Sequence, residues 1–156
     1  MKKILIALDY SPTAQKVAEV GYSLAKDLRV EVVLIHVISE PMYYSSTVYS
    51  PIMGFGGYGN VNFFGSDVMD QLRKTTQHFL DKTKAHLGDD TIKTHIKEGD
   101  VADLVIQAAK DLQADIIVIG SHSQKWLEKI VMGSVTEKTL HHTRIPLFII
   151  PTKKIS

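Results

Sequence analysis

The sequence predicts an α/β protein built on a doubly wound, open sheet of five parallel strands, a Rossmann-like arrangement with helices on both faces. Two observations support this fold class. Short apolar runs rich in β-branched residues alternate along the chain with stretches in which apolar residues recur at helical spacing. Most of the apolar runs are continuous, as is typical of parallel strands that are covered on both faces. We interpret residues 1–156 as one domain.

The composition argues against several classes of function. Lys and Arg together number 18 and Asp and Glu 17, so the net charge of +1 favours neither nucleic acid nor an anionic membrane as a partner. The chain has no cysteine, which excludes disulfides, thiolate catalysis and zinc–thiolate sites. No apolar run approaches the ~20 residues of a membrane span, and the apolar run near the N-terminus is too short for a signal peptide. We therefore expect a cytoplasmic protein.

The first part of the chain predicts a parallel βαβ unit. An apolar run at residues 4–8 predicts strand 1, and Ser11 followed by Pro12 indicates a helix start, with serine as N-cap and proline as the first helical residue. Helix 1 then shows a face of small residues that suits close packing on a sheet. Residues 31–38 predict strand 2. A helical connection between two strands favours a parallel, right-handed crossover.

Residues 39–66 interrupt this alternation with an insertion rich in glycine and aromatic residues. Loops of this length are uncommon and are either functional or disordered. The aromatic content argues against pure disorder. A mobile surface insertion, a lid over a ligand and a subunit contact remain open as interpretations.

The later elements resume the alternation. Residues 67–87 predict helix 2, which ends near Gly88. Residues 91–97 alternate apolar with charged side chains, which predicts a half-exposed strand 3 at a sheet edge. Asp100 is the predicted N-cap of helix 3. Prolines at both ends of strand 5, at residues 146–151, suggest a second exposed edge.

The stretch from residue 116 to residue 137 points to a ligand site. Residues 116–119 predict a buried strand 4, and the loop that starts at Gly120 runs into helix 4. Ser134 and Glu137 fit a capping box at the start of that helix. A loop that leads from the carboxyl end of a buried strand into a helix N-terminus is where open α/β sheets bind anions.

This loop resembles the nucleotide-binding segment of the universal stress protein family. The family pattern is a glycine, two residues, a glycine, nine residues, then a glycine and a serine or threonine. Gly120, Gly133 and Ser134 stand in register with it, and Ser123 stands at the second glycine. Further matches occur in order along nearly the whole chain: Asp9 before Ser11 and Pro12, His36 and Val37, Glu98 to Asp100, Ala114 and Asp115, and Arg144 to Pro146.

The resemblance implies the strand order 3-2-1-4-5 and a stress-response protein that binds ATP as a regulatory ligand, with Mg²⁺ only as a companion of ATP. It implies that Asp9 and Val37 hold the adenosine end and that Gly120, the start of helix 4 and its threonine hold the phosphates. The implied ATP-binding residues are Ala7, Asp9, Pro12, Val37, Gly120, Ser121, His122, Ser123, Gly133, Ser134, Val135 and Thr136.

The resemblance also implies a homodimer in which the last strands of two copies pair. The implied dimer residues are Leu147, Phe148, Ile149 and Ile150. An unknown protein partner is a further expectation.

Alternative interpretations of the site remain open. If the family glycine has a positive φ, Ser123 costs about 1–3 kcal/mol in strain there. Its side chain could also occupy the phosphate position, or its hydroxyl could donate to the phosphate. The alternative function is a dimeric interaction module of the same fold that binds no nucleotide. Asp9 as a cap of helix 1 and Val37 as plain core are the matching structural interpretations.

The sequence gives little support to catalysis. It contains no paired carboxylates, no nucleophile–base pair, no P-loop lysine and no dinucleotide fingerprint. The histidines lack the spacing of metal ligands, so we expect Mg²⁺ only as a companion of ATP. Whether the protein is an enzyme stays open, with slow ATP hydrolysis as the most that we expect.

Overall fold

The structure is a computed structural model that describes residues 1–39, 68–121 and 134–152. Strands and helices alternate along these residues. The strands are β1 (Lys3–Ala7), β2 (Glu31–Ile38), β3 (Lys93–Glu98), β4 (Ile116–Gly120) and β5 (Leu147–Ile150). The helices are α1 (Ala14–Leu28), α2 (Val68–Leu87), α3 (Val101–Asp111) and α4 (Ser134–His142). The insertion predicted at residues 39–66 lies, apart from Ser39, outside the described residues.

The strands form one parallel sheet in the order β3-β2-β1-β4-β5, which confirms the predicted order. In the register of the central strands, Ile4 of β1 pairs with Val32 of β2 on one side and with Ile116 of β4 on the other. The chain builds outward from β1 to β3 and then restarts at β4 on the opposite side of β1. The strand order therefore reverses between β1 and β4, which is where open α/β sheets bind ligands.

Both faces of the sheet are covered, as the continuous apolar runs predicted. Ile4 and Ile6 of β1 belong to a core cluster that includes Phe79 of α2 and the apolar face of α1. Leu5, which points to the opposite face, belongs to a second cluster with Val105 of α3. Alternate side chains of a strand point to opposite faces, so this division is what a doubly wound sheet requires.

The small-residue face of α1 lies close on the sheet. A Cβ at Gly21 would lie 2.9 Å from Cδ1 of Ile6 and 3.1 Å from Cγ1 of Val118. The first of these separations is shorter than real Cβ atoms show and the second is unusually tight, so the missing side chain lets α1 lie close against β1 and β4.

The predicted helix ends are right in two places. Asp100 caps α3 by accepting a hydrogen bond from the backbone N–H of Asp103 at 3.0 Å. Gly88 follows α2 with a φ of 71°, and its N–H donates to the carbonyls of Lys84 and Ala85. A residue in the left-handed region at this position is the usual end of a helix.

The predicted start of α1 is wrong, whereas the predicted start of α4 is confirmed. Helix α1 begins at Ala14 with Thr13 as its N-cap, and Thr13 makes no side-chain capping bond. Ser11 and Pro12 precede the helix because the Ser11 N–H bonds to Asp9 and the Ser11 hydroxyl bonds to Thr13. Helix α4 begins at Ser134, the predicted start, which stands as the first helical residue.

Strand β3 is half-exposed at the edge of the sheet, as its alternating pattern predicted. Among the helices within residues 1–39, 68–121 and 134–152, none combines the length and the apolar character that crossing a membrane requires.

Candidate functional site

A cleft of about 270 Å³ opens at the carboxyl edge of the sheet, where β1 and β4 lie side by side. Small-molecule sites usually measure roughly 300–1,000 Å³, so its size is close to the lower end of that range. The ends of β1, β2 and β4 and the starts of α1, α3 and α4 contribute its walls. The lining residues are Ala7, Leu8, Asp9, Tyr10, Ser11, Thr13, Ala14, Val17, Ile35, His36, Val37, Ser39, Val101, Val105, Ile119, Gly120, Ser134, Val135 and Thr136.

The turn between β1 and α1 presents a carboxylate to the cleft. Oδ1 of Asp9 accepts a hydrogen bond from the backbone N–H of Ser11 at 2.9 Å. The Ser11 hydroxyl lies 2.8 Å from the Thr13 hydroxyl and continues the chain of bonds. An aspartate that bonds the backbone two residues on forms a tight Asx turn. A carboxylate accepts several hydrogen bonds, so Asp9, which is exposed, can hold this turn and still accept from a ligand.

The end of β2 brings His36 and Val37 to the cleft. His36 is 3% exposed, and its Nδ1 lies 2.7 Å from the carbonyl oxygen of Leu8. A carbonyl only accepts, so Nδ1 carries the proton. Burial lowers the pKa of His36, while the Leu8 carbonyl and the Asp9 carboxylate oppose that effect. The imidazole is therefore neutral at neutral pH.

Val37 serves the core and the cleft at once. It is buried in the cluster that contains Leu5, Ile35 and Val105, and it also lines the cleft. The core interpretation and the binding interpretation of this residue are therefore compatible.

The end of β4 is tied to the start of α4. The Thr136 hydroxyl donates to the carbonyl oxygen of Gly120 at 2.7 Å. A Cβ at Gly120 would lie 3.0 Å from Cγ2 of Thr152 and 3.1 Å from Cγ2 of Val17. The absence of a side chain at Gly120 thus lets three segments meet. The hydroxyl proton of Thr136 is used by the protein, so it is not available for the phosphate that the resemblance implied.

Ser121 is turned toward the chain that follows β5. Its N–H donates to the carbonyl oxygen of Ile150 at 2.8 Å, and its Oγ accepts a hydrogen bond from the Thr152 N–H at 3.1 Å. Thr152 is buried, and its hydroxyl lies 3.3 Å from that of Ser121. Ser121 therefore anchors the beginning of the loop after β4 and is not part of the cleft lining.

The structure brings together most of the predicted ATP-binding residues that it describes. Those lining the cleft are Ala7, Asp9, Val37, Gly120, Ser134, Val135 and Thr136. Pro12 and Ser121 are described and lie outside the lining. His122, Ser123 and Gly133 fall outside the described residues, so the question that Ser123 raises stays a prediction.

Several lining residues were not predicted, among them Leu8, Tyr10, His36, Ser39 and Val101. Each lies within three residues of the carboxyl end of a strand or in the first turn of a helix at that edge. Selecting every residue at those positions would have found them. His36 carried a further signal, since it belongs to the histidine–valine pair that the sequence singles out.

The predicted dimer strand β5 lies at the edge of the sheet opposite β3. Its side chains differ in exposure: Phe148 is 38% exposed, Leu147 and Ile149 are half-buried, and Ile150 is buried in the core. Phe148 is therefore the member of the predicted set whose side chain projects furthest into solvent.

The described lining suits hydrogen bonding more than charge pairing. Within it, the carboxylate of Asp9 is the charged side chain, and there is no Lys or Arg. In the part of the chain that the structure describes, no three His, Asp or Glu side chains gather as metal ligands would. This part of the cleft can hold an uncharged, polar group such as a nucleoside.

Comparison with known proteins gives one family over almost the whole chain. The model described as "Universal stress protein family" matches residues 1–151. A universal stress protein of Methanocaldococcus jannaschii is 30% identical over 156 residues, which cover 97% of this chain and 96% of the relative. The solved structure of that protein superimposes with a TM-score of 0.73 at 26% identity, over 99% of this chain and 98% of the other.

Two more distant structures share the fold and hold ligands. A universal stress protein from Archaeoglobus fulgidus in complex with dAMP has a TM-score of 0.59 at 17% identity, over 96% of this chain and 98% of the other. A universal stress protein in complex with cAMP has a TM-score of 0.56 at 14% identity, over 96% and 95% of the two chains. At these identities the similarity shows the fold alone.

Proposed function

The chain belongs to the universal stress protein family, and from that premise we propose that it binds an adenine nucleotide, ATP with Mg²⁺ foremost, as a regulatory ligand. One observation carries the proposal. Seven residues assigned to such a site, from four separate segments of the chain, line one cleft at the point where the strand order reverses. Two proteins of the same fold bind dAMP and cAMP, which are adenine nucleotides.

The adenosine end of the ligand fits the wall made by β1 and β2. Asp9 is held by the Ser11 N–H and retains acceptor capacity for a ribose hydroxyl or an adenine amino group. Val37 offers an apolar surface on which a base can pack. The absence of basic side chains from the described lining suits this uncharged half of a nucleotide.

The phosphates fit the start of α4. The first N–H groups of a helix have no partner within the helix and attract anions, and Ser134 and Val135 place such groups at the cleft. Ser134 adds a hydroxyl. The negative charge of Glu137, in the first turn of α4, interacts favourably with the helix dipole. It therefore weakens the attraction of this helix start for a phosphate. We therefore assign most of the affinity to the adenosine end.

Isothermal titration calorimetry with ATP and Mg²⁺ tests the proposal. We expect micromolar binding by the wild-type protein, and we expect Asp9→Asn to weaken it about tenfold, because a charged acceptor is lost. Asp27→Asn is the matched control, since Asp27 is an exposed aspartate of α1 outside the cleft lining. Titrations with ADP, AMP and cAMP measure how much each phosphate contributes.

The opposite result has a defined meaning. If folded wild-type protein releases no heat up to millimolar ATP, the nucleotide proposal is wrong. The dimeric interaction module of the same fold, with a protein as its partner, then becomes the better interpretation.

We further propose that the protein forms a homodimer through β5. Among the described residues, β5 lies at a sheet edge and pairs with β4 alone, which leaves the other side of its backbone for a second strand. Phe148 supplies an exposed apolar side chain, flanked by half-buried Leu147 and Ile149. The side chain of Ile150 belongs to the core of its own subunit, so its contribution is limited to its backbone.

A further inference from the structure

We propose that His36 is a positioning residue for the nucleotide site: its imidazole holds the turn between β1 and α1 so that Asp9 presents its carboxylate to the ligand. This inference rests on the proposed nucleotide binding and assigns a role to a residue that the adenosine and phosphate contacts leave without one. It is carried by geometry around both neighbours of Asp9.

His36 contacts the residue before Asp9 and the residue after it. Nδ1 donates to the carbonyl oxygen of Leu8 at 2.7 Å. The ring of Tyr10 lies 4.5 Å from the imidazole, centroid to centroid, with the planes inclined by 57°. The side chain of His36 thus contacts Leu8 and Tyr10, the two residues that flank Asp9 in the chain.

The hydrogen bond from His36 continues the pairing of β1 with β2 beyond the end of β1. Leu8 lies one residue after the last residue of that strand, and its N–H donates to the carbonyl oxygen of Ile35 at 2.9 Å. The carbonyl oxygen of Leu8 accepts a hydrogen bond from the side chain of His36, which is the next residue of β2. Leu8 is 5% exposed, and a buried carbonyl that loses its donor is costly. The donor therefore determines how the chain leaves the sheet.

Helix α2 supports the imidazole and the tyrosine from behind. Phe79, which is fully buried, lies 5.3 Å from the Tyr10 ring and 6.4 Å from the His36 ring. The Tyr10 hydroxyl is bonded to Thr76 of the same helix. Packing of aromatic rings at these separations is favourable, so the three rings hold the turn in one place relative to the sheet.

The role of a positioning residue differs from that of an ordinary core residue in what its loss changes. Without the donor, the Leu8 carbonyl must turn toward another partner, and the peptide that joins it to Asp9 turns with it. Asp9 then keeps its bond to the Ser11 N–H but moves, together with that turn, relative to Val37. Ligand affinity is lost beyond what any loss of stability explains.

Two amide substitutions at His36 test whether the position of the hydrogen-bond donor matters, because both keep a polar side chain and only one keeps the donor near the position of Nδ1. In His36→Asn the amide nitrogen stands near the position of Nδ1 and can still donate to Leu8, whereas in His36→Gln it lies one bond further out. His95→Gln is the matched control, because His95 is a half-buried histidine on β3 outside the cleft lining. Each variant is titrated with ATP and Mg²⁺ by calorimetry, and its unfolding by urea is measured.

We expect the affinity of His36→Asn to stay within about threefold of wild type and that of His36→Gln to fall about tenfold. His95→Gln keeps the wild-type affinity. If His36→Gln binds as tightly as wild type, or if His36→Asn loses as much affinity as His36→Gln, the positioning role of the donor is wrong.

A measurement without nucleotide keeps this inference separate from the proposed function. Backbone amide signals of Asp9 and Ser11 are recorded by NMR in the wild type and both His36 variants. We expect them to move in His36→Gln and to remain near their wild-type positions in His36→Asn. Unchanged signals in His36→Gln overturn the inference even if ATP binds, and absent ATP binding by wild type overturns the proposed function alone.

Discussion

Thr136 and Gly120 are joined by a hydrogen bond of 2.7 Å from the threonine hydroxyl to the glycine carbonyl, which ties the first turn of α4 to the last residue of β4. This bond holds Gly120 and Thr136 next to each other, although 15 residues separate them in the chain. Ser121 is bonded in turn to the chain after β5. The cleft therefore has a fixed frame at the place where the proposed nucleotide meets the helix.

Thr136→Val removes this hydrogen bond at nearly constant volume. We expect the free energy of unfolding to fall by about 1–2 kcal/mol, because the carbonyl of half-buried Gly120 loses the donor that buried Thr136 supplies. Nucleotide affinity falls as well, since the start of α4 is no longer held against β4. Urea denaturation and calorimetric titration measure the two effects.

Thr139→Val is the matched control for that prediction. Thr139 is buried on the same helix, and its hydroxyl donates to the carbonyl of Val135 at 2.7 Å. That carbonyl also receives the backbone N–H four residues later, so the loss is smaller and the affinity is unchanged. Equal losses of affinity in the two variants would contradict the role given to the bond between Thr136 and Gly120.

Gly120→Ala tests the close approach of three segments at the cleft. Its new Cβ would lie 3.0 Å from Cγ2 of Thr152 and 3.1 Å from Cγ2 of Val17, and we expect a loss of about 1–3 kcal/mol from overpacking. Thr152→Ser removes the nearer methyl and keeps the hydroxyl that faces Ser121.

In a double-mutant cycle, Thr152→Ser should therefore cost less in the Gly120→Ala background than in the wild type. The free energies of unfolding of the four proteins give the coupling. Additive losses would show that the contact with Thr152 is not what makes an alanine unfavourable at Gly120.

The strands and helices could be predicted from the sequence because each leaves a local pattern of apolar and polar residues. Continuous β-branched runs predicted the buried strands, and the alternation at residues 91–97 predicted the edge strand β3. The order of the strands is a relation between distant segments, and it came from the family resemblance. The start of α1 could not be predicted from Ser11 and Pro12 alone, because the bond between Asp9 and the Ser11 N–H competes with a cap.

The candidate site was predictable as far as the family motif reached. Asp9, Val37, Gly120 and the start of α4 line one cleft. The motif gives residue types, and it does not give the direction in which a side chain bonds. The Thr136 hydroxyl could have faced a phosphate, and in the fold it faces Gly120. The sequence would also have allowed His36 to be an ordinary core residue, whereas in the fold its Nδ1 donates a hydrogen bond to the carbonyl oxygen of Leu8.

The stability of the protein should fall as the pH is lowered through the range in which histidines titrate. Burial lowers the pKa of His36 from its ordinary value of 6.5, with the Asp9 carboxylate and the Tyr10 ring facing it. The unfolded chain takes up this proton at about pH 6.5, so it binds more protons than the folded chain just below that pH. Stability is therefore complete above about pH 6.5 and decreases below it.

Urea denaturation at about pH 7.5 and about pH 5.5 measures this dependence. We expect a smaller decrease in His36→Asn, which lacks the titrating group. His95→Gln isolates a second contribution, because partial burial and the charges of Lys97 and Lys93 lower the pKa of His95 too. An identical pH dependence in His36→Asn and wild type would show that His36 takes up its proton equally easily in both states.

Asp100 links the start of α3 to α4, and its two roles can be separated. The Asp103 N–H and the Lys138 ammonium hold its pKa below the usual value, in that order of importance. Asp100→Ala removes both partners and should cost about 1 kcal/mol, mainly through the lost cap. Asp100→Asn keeps a capping oxygen and loses the charge that faces Lys138, so its cost in unfolding free energy should be smaller. Equal costs would mean that the exposed ion pair outweighs the cap.

The proposed homodimer depends on an exposed apolar side chain at a sheet edge. Phe148 on β5 is 38% exposed, and Phe148→Glu should convert the proposed dimer to a monomer because each copy then brings a charge into the apolar interface between the paired strands. Leu28→Glu is the matched control, since Leu28 is 41% exposed at the end of α1, away from β5. Sedimentation at micromolar concentration distinguishes the outcomes: a wild-type monomer contradicts the dimer itself, and a Phe148→Glu variant that stays dimeric contradicts its formation through β5.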